Sequence, residues 1–237
     1  MSVVARSLRA GWRPGGLYRL PAAGGAVRYR VVRTAAPGAP LVVALHGHGS
    51  DARQIATLLP LDVPATVLAP RAPLPLADGG WSWFPVDVRA DGSPLVRPQA
   101  VVTALRRVAA FARSAVRAWR ADPARVALIG YSQGGTMALS ASLVAPAPFA
   151  AIGALSGSVV GTHLDGALRR TPAGVPLFVG HGRLDRASSV EAVRGAVERL
   201  RVAGRDIVYR ESDAPHVVTR EQRGALTAWL HRHILPP

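Results

Sequence analysis

Val126-Ala127-Leu128-Ile129-Gly130-Tyr131-Ser132-Gln133-Gly134-Gly135 joins an apolar run to a small-residue segment through one serine. The first four residues show no polar alternation and read as a strand buried on both faces. Gly130 and Gly134 flank Ser132 at minus two and plus two, the G-x-S-x-G spacing of a nucleophile elbow. The geometry explains the spacing. A sharp strand-to-helix turn pushes the hydroxyl out of the sheet's carboxyl end, and the chain then folds back so tightly that its neighbours must be tiny. A helix starting near Gly135 adds N–H donors and partial positive charge beside the serine. With 24 glycines in the chain the pattern alone is weak. Its position between an apolar strand and a helix is what makes it specific against a phosphate loop or an ordinary βα turn.

Outward from this segment, short β-branched runs alternate with helical patterns. Val27–Val32, Leu41–Leu45, Ala65–Ala69, Val126–Ile129, Ala150–Leu155, Val175–Val179 and Ile207–Tyr209 read as strands. Helical periodicity covers about 98–120, 134–145, 188–203 and 219–234. Ser188 with Glu191 and Thr219 with Gln222 stand at capping-box spacing, and Gly204 closes the third helix. The alternation predicts one α/β domain over residues 1–237, with a mostly parallel central sheet and helices on both faces. Residues 70–97 break it: prolines, glycines and the aromatics Trp81, Trp83 and Phe84 follow no period. Long loops inside compact domains are usually functional, so this one is expected to cover a site. Roughly the first 35 residues carry no placeable motif, and residues 1–15 are expected to be poorly ordered.

A serine needs a base, and the base needs an orienting acid. Asp185, in His181-Gly182-Arg183-Leu184-Asp185, follows the strand Val175–Val179, and His216 follows Ile207–Tyr209. Both fall on the edge that carries Ser132, in the chain order Ser, Asp, His. Rival bases fit less well. His181 precedes the acid, and His231 and His233 lie on the last helix, away from any strand end. His163 is a further rival. Among acids, Asp165 comes one strand too early, and turn formation accounts for Asp213. Acyl transfer also requires donors for the tetrahedral oxyanion. His46-Gly47-His48-Gly49 ends the strand Leu41–Leu45, where an oxyanion loop belongs. The backbone amides of His48 and Gln133 are the candidate donors. The His-x-His pair lacks the carboxylate neighbours that would argue for a metal.

Composition narrows the function classes. The 237 residues are 49% hydrophobic and contain no cysteine, which excludes disulfides, thiolate metal sites and a cysteine nucleophile. The formal charge of +15 invites a polyanion-binding reading. However, the basic residues are all arginine and are scattered, and no recognition motif accompanies them. Arg106, Arg107, Arg113, Arg117 and Arg120 fall away from the apolar stripe Val101, Leu105, Val108, Ala112, Val116 and Trp119, as on a solvated helix face. The run around Leu143–Leu155 is broken by Pro146 and Pro148, short of the roughly 18 residues of a membrane span. The start of the chain shows no secretory apolar stretch. A cytoplasmic protein with no membrane span and no nucleic-acid partner is the resulting expectation.

Together, His46-Gly47-His48-Gly49, Gly130-Tyr131-Ser132-Gln133-Gly134-Gly135, His181-Gly182-Arg183-Leu184-Asp185 and His216 resemble the phospholipase/carboxylesterase family of α/β-hydrolases, which includes the acyl-protein thioesterases. The Ser-Gln-Gly-Gly continuation carries most of the resemblance, which extends from about Pro40 to Leu230. It implies the α/β-hydrolase fold, no cofactor, and hydrolysis of a small carboxylic ester through an acyl-enzyme. A thioesterase or acyltransferase using the same triad remains open. Trp83-Phe84 is similar to the Trp-Phe beside the family's acyl pocket, implying a substrate-binding role; pinning the loop down is the alternative. Arg186 and Pro215 depart from the small or apolar residue and the glycine usual there. A non-catalytic, hydrolase-like polyanion binder is the reading from another class, and it gives no reason for Ser132, Asp185 and His216 to stand in order.

Overall fold

The computed structural model describes residues 16–59, 62–90, 94–143, 148–158 and 174–235. In chain order these form β1 (Leu17–Leu20), β2 (Val27–Arg33), β3 (Leu41–Leu45), α1 (Ala52–Leu58), β4 (Thr66–Pro70) and β5 (Leu74–Pro75). Then come β6 (Trp81–Ser82), β7 (Asp87–Val88), β8 (Pro94–Leu95), α2 (Pro98–Trp119), β9 (Val126–Tyr131) and α3 (Gln133–Ala141). The chain continues with β10 (Ala151–Leu155), β11 (Leu177–Gly182), α4 (Val190–Val202), β12 (Ile207–Ser212) and α5 (Arg220–Ile234).

Eight strands form one sheet in the order β1-β2-β4-β3-β9-β10-β11-β12. β1 and β2 are antiparallel to their neighbours, and every other pairing is parallel. Parallel strands need crossovers, and the crossovers put helices on both faces. β3, β4, β9, β10 and β11 are accordingly buried at every position. Alternate side chains serve opposite cores. Val43 and Leu128 pack with Phe111 of α2, Met137 of α3 and Leu200 of α4. Val42, Ile129 and Phe178 pack with Ile55 of α1 and with Leu226 and Trp229 of α5. Each of these fully buried large apolar side chains contributes about 1.5–3 kcal/mol. β12 lies at the edge and is only partly buried. This is the fold expected from the sequence.

Several local expectations change. α4 is capped by Ser189, not Ser188: the Ser189 hydroxyl accepts from the Ala192 amide at 3.2 Å. Ser188 instead donates its amide to Asp185 Oδ1 at 3.0 Å. Gly204, at φ +76, follows the helix end as expected. Thr219 and Gln222 do form a capping box on α5. α1, capped by Asp51, and β1 are too short to show a period in the sequence. The segment 70–97 holds two small ribbons, β5–β6 and β7–β8, whose two-residue strands carry no alternation. α3 ends at Ala141 rather than near 145. The terminal residues 1–15, and the rival residues His163 and Asp165, lie outside the described residues.

Candidate active site

All six parallel strands point their carboxyl ends to one edge, and the candidate residues follow from it: His46 after β3, Ser132 after β9, Asp185 after β11 and His216 after β12. Ser132 sits at φ 55, ψ −117, a conformation that a non-glycine residue rarely adopts. Two hydrogen bonds hold it there. Its amide donates to the Leu155 carbonyl and its carbonyl accepts from the Thr136 amide, each at 2.9 Å. A Cβ at Gly130 would overlap the Gly134 carbonyl, and one at Gly134 would overlap the Leu45 carbonyl. The glycines are therefore required by close backbone approach.

The three candidates meet. His216 Nε2 is 2.8 Å from Ser132 Oγ, and His216 Nδ1 is 2.7 Å from Asp185 Oδ2. The Asp185 side chain is fully buried. Its other oxygen accepts from the amides of Ala187 (2.9 Å) and Ser188 (3.0 Å), so the carboxylate is satisfied on both sides. A carboxylate on Nδ1 fixes the proton there, which leaves Nε2 as the acceptor facing the serine. The acid and histidine loops continue the β11–β12 pairing. Arg183 donates its amide to the Ser212 carbonyl at 2.8 Å, and Leu184 donates to Ala214 at 3.1 Å. Any side chain at Gly182 would collide with the Ala214 carbonyl. Tyr131 adds a tether: its hydroxyl donates to the His216 carbonyl at 2.7 Å, and the two rings lie 5.2 Å apart. Burial pushes the Tyr131 phenol up, which keeps it a neutral donor.

The rivals among the described residues have other partners. His181 is buried; its Nε2 donates to the Ser188 carbonyl at 2.9 Å and lies 3.5 Å from Asp185 Oδ2. Asp213 is exposed and pairs with Arg183. His231 donates to the Asp62 carbonyl at 2.9 Å, and the His233 ring packs on Trp229. Among the described residues no three His, Asp or Glu cluster as metal ligands would, and no helix is long and apolar enough to cross a membrane.

The His46–Gly49 loop lies against the serine: a Cβ at Gly47 would stand 3.2 Å from Ser132 Cβ. Gln133 is the first residue of α3, so its amide has no intrahelical acceptor. Buried His46 sets the plane of the Gly47–His48 peptide. Its Nε2 accepts from the Ala72 amide at 3.0 Å, so Nδ1 carries the proton and donates to the Gly47 carbonyl at 2.7 Å. In a trans peptide the N–H points opposite to the C=O, so the His48 amide faces away from His46. Burial lowers the His46 pKa to about 4, which keeps this tautomer neutral. The Gly47 amide donates to Gln54 Oε1 at 3.1 Å.

Trp83 and Phe84 are both buried, and the Gln133 side chain holds their backbone. Gln133 Oε1 accepts from the Trp83 amide at 2.9 Å, and Nε2 donates to the Phe84 carbonyl at 3.1 Å. Trp83 Nε1 donates to the His46 carbonyl at 2.9 Å. The two rings border an open cleft of about 360 Å³ over α2, which is not lined by Ser132, Asp185 or His216. Tyr131, His46, Gln54 and the Gln133 side chain were not foreseen from the sequence. Their partners lie up to 85 residues away, and no local spacing records such a bond.

The chain is similar to known proteins in sequence family and in fold. Residues 27–220 match a family model described as phospholipase/carboxylesterase. The structure is similar to that of esterase PE8, at 29% identity and a TM-score of 0.72, covering 93% of this chain and 99% of that one. It also resembles acyl-protein thioesterase 2 of Zea mays, at 20% identity and TM-score 0.72, covering 86% and 98% of the two chains. A carboxylesterase of Bacillus cereus is similar at 17% identity and TM-score 0.71, covering 87% and 94%. At these last two identities the likeness speaks for the fold. No curated protein matches the sequence.

Proposed function

Because the chain belongs to the phospholipase/carboxylesterase family, we propose that it hydrolyses small carboxylic esters with Ser132 as nucleophile, His216 as general base and Asp185 as the acid that orients it. The observation that carries this assignment is the unbroken hydrogen-bonded row of Asp185 Oδ2, His216 Nδ1, His216 Nε2 and Ser132 Oγ, at 2.7 and 2.8 Å.

Each step follows from these positions. Ser132 Oγ attacks the ester carbonyl carbon while His216 Nε2 takes the hydroxyl proton. The carbonyl oxygen becomes an oxyanion, held by the amides of His48 and Gln133. Collapse of the tetrahedral intermediate breaks the bond to the alkoxy oxygen, and His216 returns its proton to the leaving alcohol. Water then attacks the acyl-enzyme by the same route, releasing the carboxylic acid and restoring Ser132. Asp185 stays ionised throughout and stabilises the imidazolium. The bonds from Gln133 to Trp83 and Phe84 support pinning as the first role of these aromatics. Their apolar faces on the cleft support a second role as a wall for the acyl chain.

Ser132→Ala tests the reading against paired oxygen esters and thioesters of one acyl chain. Turnover should fall by at least about three orders of magnitude, the scale set by removing a nucleophile, with the melting temperature unchanged. Retained turnover would remove Ser132 from the mechanism. The ratio of the two wild-type rates distinguishes an esterase from a thioesterase.

A further inference from the structure

Four arginines, Arg19, Arg28, Arg71 and Arg107, line one cavity of about 210 Å³ between the β1–β2 turn, the segment after β4, and α2. Its remaining wall is largely apolar and includes Trp83, Ala104, Val108 and Phe111. Ser132, Asp185 and His216 do not line it. An arginine cannot shed its charge at neutral pH, so the cavity gathers positive charge beside an apolar surface.

That charge meets no carboxylate at ion-pair distance within the described chain. Residues 1–15 contain no Asp or Glu at all. Arg71 is half-buried, with its guanidinium carbon 3.6 Å from the centroid of the Trp81 ring. Burial and the neighbouring charge of Arg28 both lower its pKa, opposed by Asp51. The Asp51 carboxylate is already engaged in capping α1, accepting from the Arg53 amide at 2.7 Å. A guanidinium anchored over an indole is restrained in position, and its fork of N–H donors suits a carboxylate.

We propose that this cavity binds a short apolar carboxylate, with its head among the arginines and its chain against α2. A volume below the roughly 300–1,000 Å³ of drug-sized sites limits the ligand to a short chain. The choice of a carboxylate over other anions rests on the hydrolase reading, because ester cleavage releases this class of acid. The cavity is also coupled to the proposed active site. Trp83 lines it while donating to the His46 carbonyl and to Gln133 Oε1.

The test is calorimetric titration of hexanoate, hexanol and hexyl phosphate into the full chain, with and without prior fluorophosphonate treatment. Hexanoate should bind one site in both preparations, at least tenfold more tightly than hexanol. Arg71→Gln and the exposed Arg107→Gln should each weaken it at least fivefold, with Arg107→Gln guarding against a folding defect in the first. Equal binding of hexanol, unchanged affinity in Arg107→Gln, or loss of binding after fluorophosphonate treatment would overturn the proposal. Binding of hexyl phosphate without hexanoate would overturn the carboxylate assignment. A protein that the probe fails to label would count against the hydrolase reading alone, since titration of the untreated protein still decides the cavity.

Discussion

Replacing Asp185 by asparagine exchanges one carboxylate oxygen for an amide nitrogen and leaves the shape unchanged. The Ala187 and Ser188 amides donate to Oδ1, so the asparagine carbonyl stays there and its NH2 group turns to His216. Nδ1 of His216, now facing a donor at the former 2.7 Å contact, must give up its proton and accept. The proton moves to Nε2, which stands 2.8 Å from Ser132 Oγ. A protonated Nε2 cannot take the serine proton, so general-base catalysis stops although every atom is in place. A wrong tautomer of this kind costs on the order of 10³–10⁴ in kcat, about 4–5.5 kcal/mol of barrier. Folding should change little, because both amide bonds to the side chain survive. The assay is kcat and KM on a model ester alongside a melting curve, with the exposed Asp213→Asn as control. Asp185→Asn retaining more than about a tenth of wild-type kcat, the tenth corresponding to about 1.4 kcal/mol, while Asp213→Asn loses activity, would refute the reasoning.

Other substitutions probe the supporting framework. Tyr131→Phe removes the donor on the His216 carbonyl; about 1–2 kcal/mol is expected, read as a 5- to 30-fold fall in kcat with KM unchanged. His46 has a folded pKa of about 4, below its unfolded value of about 6.5, so the unfolded chain binds the extra proton between these values. Stability from this group is present above pH 6.5 and is lost as pH falls towards 4. Urea unfolding at pH 7 and 4.5 should show a drop smaller by about 2 kcal/mol in His46→Gln than in wild type. Gly134→Ala forces a Cβ into the Leu45 carbonyl, so it should lower the melting temperature and abolish turnover together. Trp83→Phe keeps an aromatic ring but loses the bond to the His46 carbonyl. Equal loss across acyl chain lengths would identify pinning, and a loss confined to long chains would identify an acyl wall.

What the sequence made legible, and what it did not, follows the range of the interactions. Val126–Ile129 and Leu41–Leu45 announce themselves because a strand covered on both faces must be apolar at every position. Ser132, Asp185 and His216 could be nominated because each follows a strand, and parallel strands deliver their loops to one edge. The tethers were not visible, because Tyr131 reaches His216 and Gln133 reaches Trp83 only after folding. The cap of α4 stands one residue later than expected, and the amide of Ser188 is used by Asp185, three residues before it. In the ribbons between Pro70 and Arg97, two-residue strands give no period to detect.

The central claim is that Ser132 is the residue that becomes acylated. A fluorophosphonate probe followed by peptide mass spectrometry tests this directly, because the probe bonds only to a serine whose proton a neighbouring base can take. The account predicts one equivalent of label on the peptide containing Gly130-Tyr131-Ser132-Gln133-Gly134, and none in His216→Ala. Label on a different serine, or undiminished labelling in His216→Ala, would contradict it.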